Sequence, residues 1–303
     1  MSDPILRVKS SGFGGSGYRI PTWLDDAGKA TVVPGVTTVT GVTAKPGIVQ
    51  WAVDQTAAYA VANIDALLSR TEEQGWGMLR WYHKRTPDFE SGELDLRNYH
   101  AGVLNDAAEL GTSVHEFIEA DMTHGFTPEV NSFEMDEMIY RWEQFKAEHD
   151  IEPVLVEATA INKEYGYAGT LDGLWKVDGV MTLLDVKTSR NTWPEHYQQL
   201  AALGMCDTFM QQVPEGTVSA GEHKVGSEST WWVEQPMPKF DKYAILHLRP
   251  SDFDSNGNLL ESFCTLKEVS NTDLHFQGFL GALALKKYER QLNKVTKEQS
   301  KEA

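Results

Sequence analysis

The chain predicts an α/β fold, one core with a helical part ahead of it. Three observations lead there. Apolar residues at helical spacing dominate the first half, strand-length apolar runs crowd the second, and an Asp-Gly pair joins two of those runs. Such a pattern suits one elaborated core better than separate modules.

Residues 1–47 read as extended segments and turns. Gly12-Phe13-Gly14-Gly15-Ser16-Gly17 spells G-x-G-x-x-G, but Tyr18-Arg19-Ile20-Pro21 follows where a helix should begin, which argues against a dinucleotide site. Helical periodicity then covers 47–65, 71–85, 97–123 and 132–148. The third of these carries Val103, Leu104, Leu110, Val114, Phe117, Ile118 and Met122 as an apolar stripe, interrupted by Gly111, whose low helix propensity suggests a close approach to another backbone. His115 and Glu119 stand one turn apart on one face. A lone histidine there reads as packed or solvated.

The run from Val154 to Ile161 has strand length and carries Glu157, which by itself reads as an acid at a strand edge. Gly169-Thr170 then leads to Asp172 and the apolar Leu174-Trp175, and Asp178-Gly179 turns the chain. Val180 to Leu184 follows as a second strand and delivers Asp185, Val186 and Lys187 at its end. Alternation puts Asp185 and Lys187 on one side and Val186 on the other. A helix is expected around Gln199. Residues 213–240 read as a loop or hairpin excursion about Trp231-Trp232-Val233, and Tyr243–Leu248 and Ser262–Leu266 as a strand pair across the turn Asp254–Asn258. A closing helix is expected over 270–293. The expected organisation is an N-terminal region at 1–95 packed on a core at 96–293, with a disordered tail at 294–303.

Composition narrows the chemistry. The 303 residues carry a formal charge of -17, which opposes a simple nucleic-acid binder unless the basic residues are grouped around a cleft. Two groupings are available. Arg80, Lys84 and Arg85 flank Trp81 and Tyr82, either as a stacking and phosphate surface or as an amphipathic helix with its aromatic face inward; Arg190 lies just beyond Lys187. The two cysteines, Cys206 and Cys264, form no metal-spaced pair. No membrane-length apolar stretch and no signal-peptide pattern occurs, so a soluble cytoplasmic protein is expected. Neither G-x-S-x-G nor H-E-x-x-H is found.

Asp172, Asp185 and Lys187 carry the most specific signal. Carboxylates brought together raise one another's pKa unless a cation lies between them, and a hard divalent cation such as Mg²⁺ takes such oxygen ligands. A D-x-K triplet alone would read as the solvated end of a hairpin. Here the ordered set Leu110-Gly111-Thr112-Ser113-Val114-His115, Gly169-x-x-Asp172, Asp185-Val186-Lys187-Thr188 and Gln199-Leu200 resembles the RecB-like branch of the PD-(D/E)XK nuclease superfamily, which implies an α/β restriction-endonuclease-like core with a mixed central β-sheet flanked by helices. The segment Pro34–Thr40 before a helix also resembles phage-encoded exonucleases of that branch. Leu203 stands where a tyrosine is usual, and the four cysteines that hold an iron-sulfur cluster in some relatives are missing.

The resemblance implies a Mg²⁺-dependent deoxyribonuclease, with Mn²⁺ as a substitute. On that pattern His115, Asp172, Asp185 and the carbonyl of Val186 hold the metal, and Lys187 acts on the attacking water. Gln199 positions the lysine or the substrate, Glu157 is accessory, and Glu119 is either a partner of His115 or a surface acid. An exonuclease acting on DNA ends in phage recombination or replication is the implied role, with a single-strand annealing protein and self-association as possible partnerships. A structure-specific or restriction-like endonuclease, or a non-catalytic DNA-binding protein keeping the fold, are the alternatives.

Overall fold

The computed structural model describes residues 6–9, 14–43, 45–74, 99–124, 128–254 and 256–302. Arg80, Trp81, Tyr82, Lys84 and Arg85 lie outside the described residues. The chain divides into two compact units, Ala44–Thr112 and the remainder, Met1–Thr43 with Ser113–Ala303.

The first unit is helical. It contains α2 (Pro46–Ala62), α3 (Ile64–Gln74) and the opening turns of α4 (Tyr99–His124), where the rings of Tyr59 and Tyr99 stack with centroids 4.0 Å apart. A helix over 71–85 was expected; among the described residues α3 instead starts at Ile64, directly after Asn63 closes α2.

The second unit holds the sheets. A three-stranded antiparallel sheet joins β1 (Arg7–Val8), β2 (Gly17–Leu24) and β3 (Ala30–Pro34). The short helix α1 (Val36–Thr40) follows, where the sequence suggested an extended segment. Burial explains the difference: Val36 and Val39 enter the main core, and Gly35 forms an isolated bridge to Ala168. After the close of α4 come α5 (Phe133–Glu148), β4 (Ile151–Asn162), β5 (Tyr167–Val177), β6 (Val180–Lys187) and α6 (Pro194–Gly204). Next are β7 (Thr208–Val213), β8 (Gly221–Val225), β9 (Glu228–Pro236), β10 (Lys242–Arg249), the small pair β11 (Asp252–Phe253) and β12 (Leu259–Leu260), β13 (Phe263–Glu268) and α7 (Thr272–Glu302). The closing helix thus continues well past residue 293.

Eight strands form the central sheet in the order β13-β10-β6-β5-β4-β7-β9-β8. Only β6 and β10 are parallel, so the sheet is mixed. Val177 pairs with Val180, leaving Asp178 (φ 50°) and Gly179 (φ 82°) as a two-residue turn with both φ values positive, the type I′ geometry that matches strand twist. Asp178 also accepts the Asp150 amide at 2.9 Å and meets His149 Nδ1 at 2.7 Å, which ties the hairpin to the end of α5. The strand β7 beside β4 was not foreseen.

Helices cover both faces. Leu174, Leu183 and Ile245 share a core with Leu200, Ala201 and Leu203 of α6 and Phe276 and Phe279 of α7. On the opposite face Trp175 meets Trp142 of α5, ring centroids 5.8 Å apart. The side chain of Ser132 caps α5 by accepting the Met135 amide at 3.1 Å. Gly169 has a packing reason: a Cβ there would lie 2.8 Å from Leu203 and 2.9 Å from Val36. Leu203, in the place where the resembling family has tyrosine, is fully buried.

Candidate metal centre

The β5–β6 ladder ends at Gly173↔Leu184. Beyond that rung β6 continues beside β10 and β5 beside β4, so Asp172 and Asp185 face the opening between two parting strands. The Val186 amide, freed from the ladder, donates instead to Asp172 Oδ2 at 2.7 Å. Asp185 is fully buried.

Glu157 approaches from β4. Val156 pairs with Gly173 and Ala158 with Leu171, which puts Glu157 opposite Asp172. Its φ is 49°, a left-handed value that is strained for a residue with a side chain and is tolerated where the surroundings hold it. His115, from α4, brings Nδ1 to 3.7 Å from Asp172 Oδ2. Ligand atoms of His115, Glu157 and Asp172 all lie within 4.8 Å of one another.

These three residues, with Ile118, Glu119, Val156, Trp175 and Val186, line a cavity of about 10 Å³. That is room for one ion or water and for no organic ligand. Asp185 is held beside this group by two neighbours. Gln199 Nε2 donates to its Oδ1 at 3.1 Å, and Lys187 Nζ sits 2.5 Å from its Oδ2. The buried Oδ2 is thus engaged by the Lys187 ammonium.

Burial dominates the protonation equilibria. It pushes Glu157 up to about 9, with the neighbouring Asp172 and Glu119 carboxylates adding to the effect. Burial also raises Asp172, and it lifts Asp185 to about 6 against the pull of Lys187. For Lys187 burial acts downward, yet Asp185 and Asp172 outweigh it and hold the ammonium above its ordinary range. Burial and then Lys187 lower His115 to about 4, which keeps the imidazole neutral and able to ligate. Glu157, Asp172 and Asp185 in ionised form outnumber Lys187 by two negative charges. A divalent cation would offset that excess, and the oxygen-rich set with one imidazole suits a hard divalent metal.

The residues expected at the site are therefore distributed in a particular way. Glu157 stands among the ligand atoms, and Gln199 bonds Asp185 instead of Lys187. Glu119 lines the cavity. Arg190 does not line the cavity: its Nη2 donates to the Phe253 carbonyl at 3.2 Å and its Nε lies 3.5 Å from Asp252. Two participants went unnoticed in the sequence. Tyr18, whose hydroxyl is 2.8 Å from Thr170 Oγ1, braces β5 two residues before Asp172. His247, paired in register with Lys187, donates from Nε2 to the Ser189 carbonyl at 2.7 Å. No short-range pattern marks either residue, since each acts across more than 50 positions of chain.

No family model and no curated protein matches the chain. Among solved structures, an alkaline exonuclease (LHK-Exo) from Laribacter hongkongensis is similar at 13% identity and a TM-score of 0.28, over 65% of this chain and 93% of that one. A likeness of that size decides nothing about chemistry. No described helix is long and apolar enough to cross a membrane.

Proposed function

We propose that the chain is a metal-dependent nuclease of the RecB-like PD-(D/E)XK type that hydrolyses DNA phosphodiester bonds from an end. The observation that carries this reading is the meeting of His115, Glu157 and Asp172 at an ion-sized cavity with Asp185 and Lys187 beside it. The order of these residues along the chain, which resembles that family, supports it independently. The same resemblance supports DNA as substrate, Mg²⁺ or Mn²⁺ as the metal, and a setting in phage recombination or replication.

His115, Glu157 and Asp172 would hold the cation, with Asp185 beside them bridging Lys187 and Gln199. Bound there, a cation would neutralise charge on the phosphate and lower the pKa of the attacking water. Asp185 and Asp172 hold the Lys187 ammonium above its ordinary range. Lys187 would orient the attacking water, help to deprotonate it, or stabilise the developing charge on phosphate. Gln199 donates to Asp185 and so holds the carboxylate that pairs with Lys187.

The test is digestion of end-labelled linear duplex beside covalently closed circles of the same sequence, with Mg²⁺ or EDTA, using wild type and Asp185→Ala. Metal-dependent loss of linear DNA alone, abolished in the variant, is the expected result. Cleavage of circles would replace the end-dependent reading with an endonuclease. No cleavage with either Mg²⁺ or Mn²⁺ would overturn the enzymatic reading.

A further inference from the structure

An acidic nuclease needs a local cationic surface, and one lies beside Lys187. Register places Lys187 opposite His247 and His247 opposite Thr265, with Arg249 two residues further along β10 on the same side. Lys267, on edge strand β13, pairs with Ile245 and so shares that side too.

The contacts preserve positive charge. His247 is 2% exposed, and because its Nε2 faces the Ser189 carbonyl, that nitrogen carries the hydrogen and Nδ1 is left as an acceptor. Nδ1 takes the Lys267 ammonium at 2.7 Å. A neutral partner thus aims the ammonium without cancelling its charge. The ring of Phe263 packs edge-on against His247 at 5.0 Å and lies under Lys267 Nζ at 5.8 Å, which fixes the pair further. Beside them Arg190 Nε and Arg249 Nη2 share one carboxylate oxygen, Asp252 Oδ2, each at 3.5 Å. In these contacts three cations meet one acid next to the lysine of the candidate site, on a chain of net charge -17.

Resting on the nuclease reading, we propose that Arg190, Arg249 and Lys267 seat the DNA backbone phosphates next to the scissile one. Asp252 occupies the two arginines until the DNA displaces it. Its contacts are long and partly exposed, so they yield to a phosphate that accepts from both guanidinium groups.

The experiment is binding of a short labelled duplex across a KCl series, with Ca²⁺ in place of Mg²⁺, by wild type, Lys267→Gln, Arg249→Gln and Asp252→Asn. Cleavage by wild type with Mg²⁺ is measured in parallel. Each lost phosphate contact removes about 0.9 from the slope of log K against log salt. The expected result is a slope shallower by about that amount in Lys267→Gln and Arg249→Gln, and tighter binding at equal salt in Asp252→Asn. Lys267 is exposed, so its variant tests the surface even if Arg249→Gln folds poorly. A wild-type slope in Lys267→Gln, or unchanged affinity in Asp252→Asn, would overturn the phosphate seat. Absence of cleavage alongside the expected slopes would overturn the nuclease reading and leave the seat standing.

Discussion

The Asp172 carboxylate accepts the Val186 amide at 2.7 Å, taking the hydrogen bond that the next rung of the β5–β6 ladder would have used. One side chain thus takes the place of the next rung where the strands part, beside the candidate metal centre. Asparagine can still accept that amide but offers a cation less charge. Asp172→Asn should therefore keep near wild-type stability in EDTA and lose Mn²⁺ binding by calorimetry. Asp172→Ala strands a buried amide as well and should lose about 1–3 kcal/mol in urea unfolding. Equal stability of the two variants would mean that the hydrogen bond contributes nothing.

Removing metal should destabilise the protein, because the buried carboxylates then lose their counter-charge. Mg²⁺ or Mn²⁺ is expected to raise Tm over EDTA, with the increment growing with concentration. Glu157→Gln should raise the Tm of the metal-free protein and shrink that increment. A Tm indifferent to metal in wild type would contradict the site.

Lys187 and the metal should separate in their effects. Lys187→Ala removes a cation that competes electrostatically with the bound metal, so Mn²⁺ affinity should hold or rise while kcat falls by about 10² to 10³. Rapid-quench cleavage together with calorimetry measures both. A parallel loss of metal affinity would make the lysine structural.

Gln199→Leu leaves Asp185 Oδ1 without its donor. Hydrogen bonds to charged groups contribute about 1.5–3 kcal/mol, so kcat/KM should fall by roughly 10 to 100-fold. Gln199→Glu should be worse, since it adds a carboxylate to the cluster. If Gln199→Glu matched wild type, this role for the glutamine would be wrong.

Stability without metal should depend on pH in a defined window. The Glu157 carboxyl titrates at about 9 in the fold against 4.5 for the ordinary group, so its contribution is full below 4.5 and is lost as pH rises towards 9. His115, lowered to about 4 from 6.5, acts oppositely, adding stability as pH rises from 4 to 6.5. Between 6.5 and 9 the glutamate acts without that offset. Tm in EDTA should fall across that interval in wild type and much less in Glu157→Gln.

The hairpin carrying Asp172, Asp185 and Lys187 was legible because its determinants are short-range. Strand alternation, the Asp178-Gly179 turn and an apolar run of strand length act within a few residues, and β5, β6, β10 and β13 appear where those signals lie. Other elements obeyed longer-range demands. Val36 and Val39 turn an extended-looking segment into α1 because a core receives them, and β7 takes its place through β4 and β9. Leu203, a departure from the family pattern, is explained once Gly169 is seen to press against it.

By itself the sequence determined the class of fold and which side chains carry charge at the end of one hairpin, since periodicity and turn chemistry are properties of neighbouring residues. The tertiary structure alone decided that Glu157 joins His115 and Asp172, that Gln199 holds Asp185, and that a neutral His247 aims Lys267 beside Lys187. Those relationships depend on register between distant strands and on the free energy of burial. Both are fixed only when the whole sheet is packed.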